Sequence, residues 1–404
     1  MKKTENKRKR NRQKKSAAGR LWALWLLIGI FHVSGCASTE LEQRSFPLAV
    51  GIDLQEEDSE IDAGNFEGGA EEEPKEDVFR REVGDSPDLA VSYDFPDLAQ
   101  ISEKGKTVDT AMGLSLEGAD MYHVEKSYEN NTNRVLDYNH MKAVVLGENV
   151  FSDTVQLRGI LSAWEQREAS ARNTSLLIGS GAAAEILSLT EETEGSMGTY
   201  LEEMLESQKD FKQNKIATVG NLMNQWHNQD ELLLIPVLTE QGKRPVITGY
   251  GAVSNFNYQG ILTVEDAMKS FLCQNLLKKF TCEPAKNLVV EISDIRAKKT
   301  ITLEGTLPVV TVRITGKGRL KTGQVSSVSE QYQLEKKIEK QLTADLAETA
   351  GRLQQEYGID VTNSFISLGS KNRSLYRMYR NYPDAYNQEA QHVFQVEIAM
   401  LNWE

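Results

Sequence analysis

A chain of 404 residues is long enough for two or three domains, and 40% hydrophobic and 26% charged residues are typical of a globular protein. The net charge is −13, but residues 1–35 carry a net +9, so the part from Cys36 onward has a net charge of −22. Nucleic-acid binding needs clustered Lys and Arg, and the acidic balance after Cys36 argues against that function.

The N-terminus is organised like a secretory signal peptide. Its first 20 residues hold ten Lys or Arg, and the apolar run Leu21–Val33 follows at once. The run has 13 residues, whereas a transmembrane helix needs about 20, so a permanent span is disfavoured. An uncleaved anchor, or a basic arm that binds nucleic acid, is the alternative interpretation of this segment.

The segment Ser34-Gly35-Cys36 resembles the bacterial lipobox, with Val33 where Leu is commonest. The resemblance implies cleavage before Cys36, diacylglycerol on its thiol and acylation of the new amino terminus. Two or three acyl chains hold a protein stably on a membrane. We therefore expect residues 1–35 to be a lipoprotein signal peptide and Cys36 to be the lipidation site. The alternative is an unmodified cysteine after an ordinary signal peptide.

Residues 36–195 are predicted to form an N-terminal α/β domain. Hydrophobic periodicity predicts strands at 46–54, Leu89–Phe95, 140–147 and Ser175–Gly179, and helices in parts of 107–139, over 153–171 and over Ala182–Leu189. Between the first two strands, residues 56–77 contain eleven acidic residues and one Lys. This composition predicts a disordered loop, and it lacks the spacing of a calcium-binding loop.

Residues 196–245 are predicted to be a connecting region, and residues 246–404 a C-terminal α+β domain. The first predicted elements are a helical stretch over 199–226 that includes Phe211, strands at Leu232–Leu238 and Thr248–Asn257, a turn at 258–260 and a helix over Val264–Lys279. Pro236 is expected near an edge or bulge. They are followed by strands at Leu288–Ile295, Thr300–Gly305 and Pro308–Thr315, a turn at 316–319, the longest helix over 330–357 with Gly358 as its C-cap, and a last strand at His392–Leu401.

These elements predict an α+β fold of two to three domains, in which mixed sheets pack against helices. The C-terminal part is expected to be an antiparallel sheet that carries one long helix.

Several segments, in this order behind a lipobox, resemble the Ger(x)C family, the C subunits of spore germinant receptors. They are Glu42-x-Arg44 with Gly51-Ile52-Asp53, His140-Met-Lys-x-Val-Val-x-Gly-Glu148, the helix and strand around Leu161–Ile178, Gly249-Tyr-Gly-Ala-Val253 leading through Gly260–Leu262 into a helix, and the long C-terminal helix with Tyr382-Pro383 and a final strand. Two features depart from the family. Residues 56–77 are longer and more charged than its usual first hairpin, and Gly358–Asn381 lacks its Gly-rich, Trp-bearing pattern.

The resemblance implies a lipoprotein on the outer face of the spore inner membrane. Its partners would be two integral-membrane subunits, of A and B type, that recognise small nutrients such as amino acids or sugars. The family is not known as enzymes, so no catalytic residue and no cofactor are expected. Whether this subunit itself binds a small molecule stays open. The alternative function is a solute-binding or structural envelope lipoprotein unrelated to germination.

The residues themselves show no catalytic or metal-binding pattern. No histidine after Cys36 is paired at i, i+4 with a second His or a Cys, so zinc sites are not predicted, and His140 is interpreted as structural. The spacing around Ser115 does not fit a nucleophile elbow. Gly179-Ser-Gly181-Ala-Ala-Ala resembles a dinucleotide-binding loop but ends in Ala, so nucleotide binding is disfavoured.

Three further clusters are interpreted as structural. Glu165 and Glu168 share a helix face, and ion pairs with Arg167 or Arg172 are favoured over acid–base chemistry. The aromatic and basic run Tyr376–Tyr382 is interpreted as a packing or protein-contact surface rather than a nucleic-acid site. Cys273 and Cys282 are expected to be buried free thiols, because nine residues of continuous helix would separate them by about 13 Å. A disulfide between them is the alternative if the chain turns back after the helix.

Overall fold

The computed structural model describes residues 43–55, 87–96, 114–166, 172–189, 196–213, 216–228 and 232–401. The chain divides into two compact units, residues 1–44 and 45–404, and only Gln43 and Arg44 of the first are described. The predicted lipidation site Cys36 and the predicted disordered loop 56–77 lie outside the described residues.

The described ranges contain fourteen strands and ten α-helices. The strands are β1 (Arg44–Ser45), β2 (Ala49–Leu54), β3 (Leu89–Asp94), β4 (Leu114–Gly118), β5 (Val135–Leu136), β6 (Ala143–Gly147), β7 (Ser175–Gly179), β8 (Leu232–Gln241), β9 (Arg244–Ser254), β10 (Asn257–Thr263), β11 (Lys279–Ala285), β12 (Leu288–Glu304), β13 (Leu307–Thr322) and β14 (Gln391–Met400). The helices are α1 (Met121–Thr132), α2 (Thr154–Glu165), α3 (Ala183–Leu187), α4 (Met197–Glu206), α5 (Val219–Asn228), α6 (Val264–Cys273), α7 (Val328–Tyr357), α8 (Phe365–Lys371), α9 (Arg373–Tyr379) and α10 (Pro383–Glu389). None of the described helices is long and apolar enough to cross a membrane.

An eight-stranded mixed sheet is the larger of the two main sheets, in the order β10-β9-β8-β7-β6-β2-β3-β4. Strands β2, β6, β7 and β8 run parallel, and the outer pairs on both sides are antiparallel. All five residues of β6 and of β7 are buried, as expected for parallel strands covered on both faces. The strands of this sheet come from all three of the predicted parts 36–195, 196–245 and 246–404.

The two faces of this sheet carry separate helical layers. Along β6, Val144 and Leu146 join one apolar cluster with α1, α2 and α5, while Ala143 and Val145 join another with α3 and α4. This alternation follows from the two-residue period of a strand. The middle of the sheet is therefore closed to solvent from both sides.

The C-terminal sheet has the order β11-β12-β13-β14 and carries α7 on its inner face. The α+β class and the sheet with one long helix are confirmed. The prediction that this sheet is antiparallel is wrong for its last pair, because β14 runs parallel to β13. Residues 323–390, which include α7, cross over the sheet and return the chain in the same direction, as a parallel pair requires.

Helix α7 begins and ends close to its predicted bounds. The hydroxyl of Ser327 accepts a hydrogen bond from the N–H of Glu330 at the N-terminus. Gly358 ends the helix at φ +63°, a left-handed conformation that glycine adopts without steric cost. One apolar stripe of the helix faces the core; its buried members are Leu334, Ile338, Leu342, Leu346, Ala350 and Leu353.

The region 107–139, predicted to be helical in parts, contains strand β4 at residues 114–118 and then helix α1. Two predicted helical stretches are wrong in part. The single helical stretch over 199–226 is two helices, because Thr218 starts α5 by accepting from the N–H of Asn221, and Phe211 forms an antiparallel bridge with Leu277. Helix α6 ends at Cys273 rather than Lys279, since Asn275 takes a left-handed φ of +65°.

Two predicted turns are also wrong. The turn between β9 and β10 is formed by Asn255 and Phe256, both at positive φ as in a two-residue hairpin, and not by residues 258–260. Residues 316–319 continue β13. A Cβ at Gly316 would lie 2.5 Å from Cγ2 of Ile292, so this glycine serves close packing in the core.

The strands around these turns refine two further predictions. The two strands predicted over 288–305 are one strand, β12, with an irregular register between Ser293 and Arg296. Pro236 lies beside the register shift between Val237 and Leu238, which confirms its predicted position near a bulge.

Candidate functional site

Asp53, the last residue of the Gly51-Ile52-Asp53 segment, connects strand β2 to the first turn of helix α3. Its Oδ1 accepts a 2.7 Å hydrogen bond from the N–H of Ala183, and its Oδ2 accepts a 3.1 Å bond from the N–H of Ala184. These are orphan donors of the first turn of α3, so Asp53 caps that helix from a distant strand. Burial raises the pKa of Asp53, and the two backbone hydrogen bonds oppose that shift.

The loop that resembled a dinucleotide-binding motif leads into this same helix. Gly179 and Gly181 precede Ala183 at the end of β7, as a phosphate-binding loop would require. The N–H groups of Ala183 and Ala184 already bind the carboxylate of Asp53. The charge that a phosphate would supply is therefore provided by the protein, which supports the interpretation that this loop is structural.

Asp94 makes a comparable contact one strand away. Its Oδ2 accepts a 2.7 Å hydrogen bond from the N–H of Gly198 in the first turn of α4. Burial raises the pKa of Asp94, and hydrogen bonds from Gly198 and Met197 oppose the shift. Two carboxylates of neighbouring strands thus fix the helices of one layer to the sheet.

The cluster around Glu165 is an exposed set of ion pairs. Oε1 of Glu165 lies 3.0 Å from Nη2 of Arg172, and Oε2 lies 2.9 Å from Nε2 of His227. This confirms the predicted pairing with Arg172. Glu168 and Arg167 lie outside the described residues, so the predicted face shared by the two glutamates is not described.

A buried polar network around Asp360 was missed from the sequence. Oδ1 of Asp360 lies 2.8 Å from Nε2 of His392, and both side chains are less than 5% exposed. Oδ1 also accepts from the N–H and hydroxyl of Thr362, and Oδ2 from the N–H and hydroxyl of Ser364. The Ser364 hydroxyl in turn lies 2.7 Å from the hydroxyl of Tyr386.

These contacts lower the pKa of Asp360. Burial alone would raise it, but the charge and hydrogen bond of His392, with the hydrogen bonds from Ser364 and Thr362, more than offset burial. The carboxylate accepts every hydrogen bond and His392 does not contact Ser364, so the set is not arranged as a nucleophile and base. The network joins the segment after α7 to β14 and to α10, which is a structural role.

The sequence contained one signal for this network. Gly358-Ile359-Asp360 repeats the Gly-Ile-Asp of residues 51–53, and in both places the aspartate is buried and accepts backbone N–H groups.

The other singled-out side chains have structural surroundings. His140 packs edge-on against Phe46, at 5.3 Å between ring centroids. In the aromatic run, Tyr379 is buried against Tyr386 whereas Tyr382 is exposed, so the run is partly a packing surface. No group of metal-ligating side chains occurs among the described residues.

Both described cysteines are free thiols. Cys273 is buried on α6, and burial raises its pKa to about 12. Cys282 lies on β11 and is only partly buried, and its pKa is raised to about 11, again by burial. The predicted burial is thus correct for Cys273 and partial for Cys282, and neither thiol has the lowered pKa of a reactive nucleophile.

A groove of about 400 Å³ lies between β11, α6 and α7, and we take it as the candidate binding site. Its volume is in the range of small-ligand sites. The floor is apolar, and acidic and basic side chains form the rim. The residues that line it are Asp210, Glu265, Met268, Lys269, Lys279, Phe280, Thr281, Cys282, Glu283, Pro284, Ile338, Gln341, Leu342 and Asp345.

The two cations of the groove are already paired, whereas three of its four acids have no ion-pair partner. Nζ of Lys269 lies 2.8 Å from Oε1 of Glu265, and Nζ of Lys279 lies 3.5 Å from a carboxylate oxygen of Glu291. Within the described residues, the carboxylates of Asp210, Glu283 and Asp345 form no ion pair, and that of Glu283 accepts a hydrogen bond from the N–H of Asn287. This groove was not predicted from the sequence, because its residues come from four separate segments.

The comparisons with known proteins cover nearly the whole chain after Cys36. Residues 37–240 match the family described as "Spore germination protein N-terminal domain", and residues 214–401 match "Spore germination B3/GerAC like, C-terminal". No curated protein is significantly similar in sequence. A solved structure, described as the crystal structure of the GerBC protein, is similar in fold with a TM-score of 0.53 and 18% identity, over 78% of this chain and 93% of that chain.

Proposed function

Because the chain belongs to the Ger(x)C family of spore germination proteins, we propose that it is the lipid-anchored C subunit of a nutrient germinant receptor. In this role it lies on the outer face of the spore inner membrane and contacts two integral-membrane subunits, of A and B type. The observation that carries the proposal is the pair of family matches, which together extend over residues 37–401.

The anchor we propose is lipid attached to Cys36. Seven residues separate Cys36 from Arg44, where the first strand begins. Even if fully extended, such a linker reaches only about 25–30 Å. A lipid at Cys36 would therefore hold the folded part close to the bilayer, within reach of integral-membrane partners.

A subunit without catalytic activity agrees with the chemistry of the described residues. Asp53, Asp94 and Asp360 are the buried carboxylates with shifted pKa values, and each is engaged by hydrogen bonds from its own fold. Shifted pKa values mark functional sites only when the groups face a cleft, and none of these three lines the groove.

The experiment that tests this function is deletion of the gene, followed by complementation with the full chain carrying an affinity tag. We expect deletion spores to lose the germination response to at least one nutrient, and the tagged chain to restore it. The tagged chain should also co-purify from spore membranes with two integral-membrane proteins. Normal nutrient germination in the deletion strain, with no such complex in wild-type membranes, would refute the proposal.

A solute-binding lipoprotein is the second candidate function, because the groove has the volume of a small-ligand site. Calorimetry of the purified full chain against a panel of amino acids and sugars separates the two. Saturable binding of one solute by the protein alone, together with normal germination of the deletion strain, would favour this second function.

A further inference from the structure

The groove follows the backbone edge of a strand rather than one of its faces. A strand that shows a face contributes alternate residues, because successive side chains point to opposite sides. Six consecutive residues, Lys279–Pro284, line this groove. In addition, β11 is the terminal strand of its sheet, and no described strand pairs with its outer side.

The start of this edge is covered and the rest is open. The carbonyl of Asp210 accepts hydrogen bonds from the N–H groups of Lys278 and Lys279, at 2.6 and 3.3 Å. Backbone groups alternate along a strand, so the N–H of Thr281 is directed to the same outer side as that of Lys279. Pro284 lies at the irregular register between Cys282 and Ala285, a position where an edge strand tolerates proline.

The walls of the groove define what could lie along this edge. Helices α6 and α7 supply Met268, Ile338 and Leu342, which provide an apolar surface for alternate side chains of an added strand. The unpaired carboxylates of Asp210 and Asp345 lie on the rim, next to cations that already have partners. A bound segment therefore gains most in affinity if it carries a positively charged side chain.

We propose that the open edge of β11 binds an extended segment of a partner protein, which adds a fifth strand and places a Lys or Arg side chain against Asp210 and Asp345. Backbone hydrogen bonds to the edge would supply affinity, and the groove would select alternate side chains. This inference rests on the proposed function, in which the chain acts through protein contacts, and it assigns one contact surface.

The test uses fluorescein-labelled pentapeptides and the purified full chain in detergent, with binding followed by fluorescence anisotropy. The first peptide has valine at alternate positions, with lysine and threonine between the valines. Two matched peptides differ from it only in carrying glutamine or glutamate in place of the lysine. We expect the lysine peptide to bind about tenfold more tightly than the glutamate peptide, because only lysine can pair with the free carboxylates.

Two substitutions at one position test the backbone contact. Thr281→Pro removes the outward N–H but no bond to β12, and it should lower the affinity for the lysine peptide about tenfold. Thr281→Val keeps the N–H and should leave the affinity within about twofold. Circular dichroism melting of both variants establishes that they are folded. Equal losses in the two variants would overturn the proposal.

Two substitutions on α7 test the charge. Asp345→Asn should reduce the preference for lysine over glutamate about threefold to fivefold, whereas Glu348→Gln, which removes one charge outside the groove, should not change it. No saturable binding of the lysine peptide at millimolar concentration, or equal affinity for all three peptides, would overturn the proposal.

The edge could also pair with a second copy of the chain. Sedimentation of the full chain that shows a dimer, lost in Thr281→Pro and retained in Thr281→Val, would replace the proposed partner with self-association. Failure of the peptide tests, when deletion of the gene does impair nutrient germination, would refute the surface alone. Absence of any germination defect on deletion would refute the receptor function instead.

Discussion

Asp53 and Ala183 are 130 residues apart in the chain, and the N–H of Ala183 donates a 2.7 Å hydrogen bond to Oδ1 of Asp53. This bond fixes the first turn of α3 to the end of β2, at the centre of the eight-stranded sheet. The Gly-Ile-Asp segment is therefore a capping element that acts across the fold. The same aspartate occupies the N–H groups of Ala183 and Ala184, which a phosphate at this helix start would otherwise contact.

The first prediction concerns this cap. Asp53→Ala leaves the N–H groups of Ala183 and Ala184 without acceptors inside the protein and should lower the free energy of unfolding by about 2 kcal/mol. Urea denaturation of the full chain in detergent measures it. Asp120→Ala is the matched control, since Asp120 caps α1 at an exposed site and should cost about 0.5–1 kcal/mol. An Asp53 effect no larger than the control would contradict the buried cap.

The second prediction concerns Gly147, at the end of β6. A Cβ at this position would lie 2.2 Å from Oδ1 of Asp53, although the φ of −60° suits any residue. Gly147→Ala should therefore destabilise the fold by about 1–3 kcal/mol, through the clash with the carboxylate. In Asp53→Ala the nearest clashing atom is gone and Oδ1 of Asn149, at 2.9 Å, is the close atom left, so the double variant should be less destabilised than the sum of the two single variants. Strict additivity in the double-mutant cycle would refute the contact.

Strongly periodic elements were predictable from the sequence. Strand β7 is found at its predicted bounds, and α7 lies within two residues of its own, because a buried parallel strand and an amphipathic helix leave unambiguous patterns. The cap by Asp53 and the contact of Asp360 with His392 were not predicted, since each joins residues far apart in the chain, and a repeated Gly-Ile-Asp does not specify the groups that its aspartate contacts. The groove was not predicted either, because its lining residues are also far apart in the chain.

The incorrect turn prediction at the glycines of residues 316–319 has another physical cause. Gly316 and Gly318 were interpreted as turn residues, but their missing side chains admit Ile292 and Met400 to the core of the sheet. Glycine permits both a turn and a close approach, and local sequence does not distinguish the two. The hairpin between β9 and β10 shows the converse, because its turn residues Asn255 and Phe256 include no glycine at all.

The third prediction concerns the lipid anchor proposed at Cys36. Cys36→Ala removes the thiol that would carry diacylglycerol. The variant should therefore lack the mass of the acyl chains that the wild-type lipoprotein carries. Metabolic labelling with a fatty acid, followed by mass spectrometry of the N-terminal peptide, measures this change. Cys282→Ala is the control and should keep the label. Label that persists in Cys36→Ala would place the acylation elsewhere.

The fourth prediction concerns Asp360 and His392, which lie 2.8 Å apart in the core. Asp360→Asn should lower the free energy of unfolding by about 3 kcal/mol near pH 7, because it removes the buried carboxylate that His392, Thr362 and Ser364 contact. A carboxyl whose pKa is lower in the folded than in the unfolded chain stabilises the fold above the unfolded value of 3.8. That stabilisation is lost as the pH falls through the folded pKa. The difference between wild type and Asp360→Asn should therefore shrink as the pH falls below about 4. Urea denaturation from pH 7 to pH 3 measures it, with Asp294→Asn as an exposed control that should show little change. A difference that grows as the pH falls from 4 to 3 would show that the aspartate is not held ionised by the network around it.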